Sequence, residues 1–447
     1  MTPLELARAA VAAALSAGAT DADAALVEQT GLDVRVRDGE VEHVEESRSS
    51  GVGVRAYRGK RMGLSYTNDV SPSGVRRAAR LALELASVSA EDECAGLPDA
   101  ADIGALAGPL DVVDAHAGSY GVDHWREACR AAEAAAKSHA GITQSEGARA
   151  GGGRGRVAFA TSRGFSAERE RTGASVYVAV IAAGAGGERQ QGVWYDTAPH
   201  WGDLASPQAI GDEAARRALE KTGWKKPPTG AYPVVFSPEI SCDLASTIAQ
   251  AASAAQVYRR TTFLADSLGQ EIASPALTLV DDATLPRRSG SRPFDGEGVR
   301  SRRNAILERG RLTSWLANAY SARRTGTRTT GSAARSPTGD TSVAAANLVL
   351  LPGTRTPAAL LADVGEGLYV TDLFHFGVNV TSGAWSRGGS GLWISGGRFA
   401  HPVQELTIAG DLPGILRGFR EAANDLTWRG SCAAPTVWID GLTVAAG

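Results

Sequence analysis

The chain has 447 residues, two to three times the roughly 100–200 residues of an ordinary domain, so more than one core is expected. Its 43% hydrophobic and 21% charged content is globular, and no apolar run approaches the roughly 20 residues that span a bilayer. Lys and Arg total 46 against 49 acidic residues, a net charge of -3 that leaves no global positive field to attract a nucleic-acid backbone.

The start, Met1 to Arg8, carries Glu5 where an export signal would carry basic residues. Cys94, Cys129, Cys242 and Cys432 are too scattered for a disulfide framework, so reduced thiols and a cytoplasmic location are expected. Leu4, Ala7, Val11, Ala14 and Leu15 recur at helical spacing and predict a helix over 4–17, stopped by Gly18. Leu32 to Arg37 alternates, turns at Asp38-Gly39 and returns as Glu40 to Glu45, a hairpin pattern. Strands at 51–57 and 61–67 extend it into a meander, and Ser71-Pro72 opens a helix over 72–88. Val34, Val36, Val52, Val54 and Leu64 are expected on one buried face beneath the helices at 4–17 and 72–88.

After a connector at 89–118 the plan recurs: a helix at 119–139, strands near 142–149, 156–162, 174–182 and 189–196, and a Ser206-Pro207 helix to 222. This predicts a degenerate internal repeat of helix, meander and helix. Lys225 to Gly230 punctuates the chain, giving an N-terminal α+β domain over 1–226 and a strand-rich domain with few helices over 227–447. In the second unit the pattern predicts a strand at 233–236, an Ala-rich helix over 239–257, a strand at 276–282, loops at 285–298 and 321–343, and strands near 347–351, 367–371, 391–394, 403–408 and 435–439.

Self-contained catalytic signatures are scarce. Gly53 to Lys60 has the wrong spacing for a phosphate loop, and Arg61 stands where Ser or Thr would meet magnesium. The seven histidines include no His-Glu dipeptide and no pair at helical ligand spacing, and no Ser-x-x-Lys pattern exists. The run Gly383 to Gly391 reads as a glycine loop joining two strands, with anion binding as its rival. His375, between two phenylalanines, and Cys432 read first as packed residues.

The block Asp38-Gly39-Glu40-Val41-Glu42 to Asn68-Asp69, Phe294-Asp295-Gly296-Glu297-Gly298-Val299, Leu307 to Leu312, Asn347 to Gly353, Gly367 to Thr371, Pro402 to Gly410 and the closing Pro435 to Gly447 together resemble the TldD/PmbA family, in order and over almost the whole chain. In that family the TldD branch carries a His-Glu-x-x-x-His helix and a distant cysteine that hold zinc, and the TldE (PmbA) branch lacks them. The corresponding positions here are Ser246, Thr247 and Ala251, so the chain resembles TldE. The resemblance implies a cytosolic heterodimer with a TldD-like catalytic subunit that holds the zinc, hydrolysing unfolded peptides or trimming leader segments from modified ones. This chain would then hold no catalytic residue and no metal of its own. It would line the cavity around Phe294 to Val299 and His375 to Gly383, with His375, Asn379, Ser382 and Gly383 binding peptide by strand addition. Two alternatives stay open: a non-hydrolytic peptide-binding or scaffold protein, possibly homodimeric, and an independent hydrolase built around His375 and Cys432.

Overall fold

Helix α1 (Pro3–Ser16) opens the computed structural model, which describes residues 1–336, 341–374 and 376–447. A capping box fixes its start: Thr2 accepts from the Glu5 amide while Glu5 reaches back to the Thr2 amide. Strands β1 (Asp21–Arg37) and β2 (Glu40–Arg58) then form a hairpin whose two turn residues, Asp38 and Gly39, have φ of +51° and +81°. A two-residue turn of that hand needs positive φ at both positions, which Asp-Gly tolerates. Strand β3 (Arg61–Thr67) and helix α2 (Pro72–Val88) complete the first copy, with the Ser71 hydroxyl accepting from the Gly74 amide.

The second copy consists of α3 (Val122–Lys137), β4 (Ile142–Thr161), β5 (Ser166–Ala183), β6 (Arg189–Ala198) and α4 (Pro207–Glu220). All six strands join one antiparallel sheet in the order β3-β2-β1-β4-β5-β6, so the two meanders meet at β1 and β4. Two glycines mark the equivalence of the copies. A Cβ on Gly63 of β3 would lie 2.0 Å from the Ala82 carbonyl of α2, and one on Gly192 of β6 would lie 2.1 Å from the Ala214 carbonyl of α4. Each helix rests directly on a strand backbone at that point.

Several expectations change. The strands expected at 142–149 and 156–162 are one strand, because the intervening glycines lie in the ladder: a Cβ on Gly152 would meet the Trp125 ring at 2.7 Å and one on Gly153 the Thr30 carbonyl at 2.5 Å. Val34, Val36, Val52 and Val54 are fully buried. Leu64 faces the opposite side, because Ser65, not Leu64, pairs with Val54. Val52 and Val54 pack beneath α1 and α2, but Val34 and Val36 pack beneath α3 and α4. At about 3.3 Å per residue β1 is roughly 56 Å long, and one face of it passes under both helix pairs.

The second half is built around β7 (Gly230–Phe236) and α5 (Pro238–Ala251). Strands 366–373, 230–236, 437–446, 398–411 and 384–395 pair in that order, and the first also pairs with the last, closing a ring. A second sheet contains 303–308, 279–282, 348–350 and 432–434 with two short flanking strands. Ile240, Leu244, Ala245 and Ile248 of α5 belong to the core shared by both sheets. The architecture is therefore α+β.

The helix expected over 239–257 stops at Ala251, and a short helix α6 (Ala254–Tyr258) follows. The break has visible partners: the Thr262 hydroxyl donates to the Ala251 carbonyl at 2.8 Å, and Ala252 and Ala254 exchange backbone hydrogen bonds with Leu316. Helix α7 (Ala319–Thr325) lies in a stretch expected to be loop, started by an Asn318–Ser321 capping box. Gly388, Gly389 and Gly391, read as loop, sit within the strand 384–395; a Cβ on Gly391 would lie 2.0 Å from the Tyr369 carbonyl.

The glycine contacts give the first test. Gly63→Ala and Gly192→Ala each force a helix off its strand and should cost about 1–3 kcal/mol in denaturant melts. Gly118→Ala, where no atom lies within 4 Å, should leave the midpoint unchanged.

Candidate functional site

Helix α5 has two unlike faces. Residues four apart share a face, and while Leu244 and Ile248 enter the core, Ser246 and Gln250 face outward into a cleft of about 570 Å³. The rest of the lining comes from Asn318, Tyr320 and Ser321 at the start of α7, from residues 341–346, from Tyr258 of α6 and the following Arg259, and from Ser431 and Cys432, the last of which packs against α5. The lining is mostly hydroxyls, amides and backbone. Ser342–Val343 pairs with Ala333–Ala334 on one side, and among the described residues no strand pairs with its other edge. An unpaired edge beside a polar cleft can accept an extended chain through main-chain hydrogen bonds.

The cleft does not suit a zinc ion. The Ser246 and Thr247 hydroxyls donate to the carbonyls of Cys242 and Asp243 at 2.9 and 3.0 Å, and Ala251 is wholly buried. Among the described lining residues only Cys432 carries a metal-ligating side chain, whereas zinc takes three or four protein ligands. Contact with the Cys242 thiol and burial push the Cys432 thiol up, so it stays protonated. A neutral thiol is neither a good ligand nor a nucleophile. Among the described residues no group of three or more His, Cys, Asp or Glu side chains is placed to hold a metal ion.

A buried ionic network holds the cleft wall against the N-terminal sheet. Arg55 of β2 donates from Nε to both Asp23 oxygens at 3.1–3.2 Å and from Nη1 to Glu297 at 3.1 Å. Arg335 donates to Asp23 at 2.6 Å and to the Gly53 carbonyl at 3.1 Å. The second Glu297 oxygen accepts from the amide of Ala319, the first residue of α7, at 2.8 Å. Asp295 accepts from the amides of Glu297, Val299 and Ala333 at 2.8–2.9 Å. Burial and the neighbouring Glu297 raise Asp295 to about 6. For Asp23 burial works in the same sense, but Arg335 and Arg55 outweigh it and lower the carboxyl. Phe294 packs with Phe159 and Phe165 of the sheet. The segment Phe294–Val299, expected to form a cavity wall, is instead buried between sheet and C-terminal half.

The other expected site residues separate from this cleft. His375 lies outside the described residues. Asn379, Ser382 and Gly383 form a turn that lines neither this cleft nor the other cavities described. Asn379 accepts from the Thr381 and Ser382 amides at 2.9 and 3.2 Å, and the Gly383 amide donates to the Asn379 carbonyl at 2.8 Å. The side chains of Asn379 and Ser382 remain exposed. Sequence reasoning missed the walls at 316–321 and 341–346; the one local signal for them was the Asn318-x-x-Ser321 cap.

Three stretches match models of PmbA/TldA metallopeptidase: domain 1 over residues 22–86, the central domain over 116–222 and the C-terminal domain over 229–446. The chain belongs to the PmbA/TldD metallopeptidase family. Metalloprotease PmbA of Escherichia coli O157:H7 is 33% identical over 96% of this chain and 94% of its own length. A TldD homolog from Haemophilus influenzae matches at 29% over 44% of this chain, which places the chain nearer the PmbA branch. A Bacteroides thetaiotaomicron crystal structure, described as a candidate modulator of DNA gyrase, superposes with a TM-score of 0.91 at 26% identity, over 99% of this chain and 98% of that one. TldE from Thermococcus kodakarensis shares the fold, with a TM-score of 0.88 at 20% identity over 99% of this chain and all of that one.

The ionic network gives the second test. Asp23→Ala leaves Arg55 and Arg335 buried with one carboxylate fewer and should cost about 3–5 kcal/mol at pH 7. Because Asp23 is lowered in the fold, its contribution is present above the unfolded value of 3.8 and disappears as pH falls through the lower folded value. Melts from pH 7 downward should therefore show wild type and variant converging only at strongly acidic pH.

Proposed function

We propose that this chain is the TldE-type, non-catalytic subunit of a two-chain zinc metallopeptidase that hydrolyses unfolded peptides or removes leader segments from modified peptides. Its role is to bind an extended peptide beside a TldD-like partner, which holds the zinc. The single observation that carries this reading is the outward face of α5. The position equivalent to the first zinc ligand is a serine whose proton is spent on its own helix, that of the water-activating glutamate is a threonine in the same state, and that of the second histidine is a core alanine. A metal-activated water needs ligands and a general base, and these side chains supply neither. The family membership supports a role in peptide chemistry, and the Ser342–Val343 edge, which no strand among the described residues pairs with, supports peptide binding.

In this reading the peptide lies along Ser342–Val343 with Ser246 and Gln250 across from it. Asn379 and Ser382, exposed on a turn shaped by Gly383 and apart from the cleft, would bind substrate only as a second, separate contact. The working division is residues 1–226 and 227–447, with the second unit bearing the cleft. The proposed assembly is a cytoplasmic heterodimer; among the described residues no helix is long and apolar enough to cross a membrane.

The purified chain alone should carry no stoichiometric zinc by elemental analysis and show no peptidase activity, and activity should appear when a TldD-like chain is added. Tightly held zinc with hydrolysis by the chain alone would overturn the proposal. Gln250→Trp, at an exposed position, should lower turnover by the assembled pair at least tenfold without changing the melting midpoint. The triple variant Ser246→His, Thr247→Glu, Ala251→His should gain no efficient hydrolysis, because a histidine at the buried position 251 overpacks the core by about 1–3 kcal/mol and lacks groups to orient it.

A further inference from the structure

A second cavity, of about 690 Å³, lies where the face of the N-terminal sheet away from its helices meets the C-terminal half. Ala345, Ala346 and Ser431 line both this cavity and the α5 cleft, so the two adjoin across a shared wall. Their chemistry differs. Five arginines line the second cavity: Arg156, Arg169, Arg171, Arg292 and Arg335. Two are neutralised, Arg156 by Glu168 and Arg335 by Asp23, each at 2.6 Å.

Arg171 is exposed to solvent, and Arg169 and Arg292 form no ion pair among the described residues. Among the described residues Arg169 makes no ion pair and no hydrogen bond, and its guanidinium lies over the Phe294 ring at 5.5 Å. Its Nε is buried without a partner, and so is Nε of Arg292, whose side chain makes one long hydrogen bond, to the Gly331 carbonyl at 3.5 Å. Asp295 acts on both charges from a distance and Asp281 on Arg292, but both Asp295 oxygens are hydrogen-bonded to backbone amides, Asp281 accepts from the Ala346 amide, and neither acid makes an ion pair with the two arginines; Glu170 pairs with Arg154 at 2.9 Å. Burial and the positive charge of Arg292 lower the Arg169 guanidinium to about 9, which still leaves it cationic at neutral pH. Guanidinium N–H groups buried without an acceptor are costly, and a guanidinium fork matches a carboxylate.

We propose that Arg169 and Arg292 form a carboxylate subsite for the peptide held in the α5 cleft, taking its C-terminal carboxylate or an acidic side chain. This rests on the reading that the chain binds extended peptide. The shared wall at Ala345, Ala346 and Ser431 places the two arginines in the cavity next to the Ser342–Val343 edge, within reach of a peptide that extends past that wall.

The test is calorimetric titration of the full chain with three neutral-sequence hexapeptides: one with a free C-terminus, one amidated, and one amidated with a single internal Glu. At least one carboxylate-bearing peptide should bind tenfold or more tighter than the neutral amide, and which one does so identifies the source of the carboxylate. Arg169→Gln and Arg292→Gln should each abolish that preference with a melting midpoint unchanged or raised, since neither removes a salt bridge. Equal affinity of wild type for all three peptides would overturn the subsite while leaving peptide binding in place. A preference that survives both substitutions, or is lost only together with a fall in melting midpoint, would also overturn it. No binding of any peptide would overturn both this inference and the reading beneath it.

Discussion

The Arg55 guanidinium is the fastening on which the arrangement of the two halves depends. It sits on the face of the N-terminal sheet away from the helices, almost wholly buried, and bridges Asp23 of its own sheet to Glu297 of the C-terminal half. Charges removed from water gain little net stability from pairing, but removing one partner is costly, so such a cluster tolerates one docking geometry and penalises others. The consequence reaches the cleft. The same Glu297 accepts from the first amide of α7, so the charge that locks the sheet also fixes the wall that carries Asn318, Tyr320 and Ser321.

Helix α5 makes the complementary point about chemistry. Its inner face is committed to a core shared by two sheets, which leaves about one residue per turn for the cleft. In this chain those residues are small or neutral, and their hydroxyls bond back to the helix. The cleft is thereby suited to hold a backbone and not to polarise one, and the arginine-lined cavity that adjoins it across Ala345 and Ala346 would add charge where the peptide ends or carries an acid.

Much of the N-terminal architecture was legible because its signals are local. Pro after Ser at 71–72 and 206–207, the Asp38-Gly39 turn and the alternation of valines located elements to within a few residues. The register failed at Leu64 because β3 begins after a turn whose exit the alternation alone does not specify. Glycine misled in the opposite sense. Gly151–Gly155 and Gly383–Gly391 look like loops, yet several of these glycines lie in strands where neighbouring atoms leave no room for a Cβ, a contact set by tertiary packing and invisible in the local pattern. The cleft was legible only in part: Ser246 was identified through the family pattern, whereas the rest of its lining comes from 316–321, 341–346 and 431–432, far apart in sequence. The basic pair Arg169 and Arg292 was not visible at all, since nothing in the chain distinguishes them from arginines that end up paired.

The central claim is that the α5 cleft receives an extended peptide along Ser342–Val343 without a metal of its own. Hydrogen exchange of the backbone amides between Thr341 and Ala346, measured on the chain with and without a neutral unfolded peptide and with and without a chelator, addresses it most directly. The account predicts slowed exchange of these amides on peptide addition, to the same degree whether or not chelator is present. No slowing, or slowing that appears only when zinc is supplied, would contradict it.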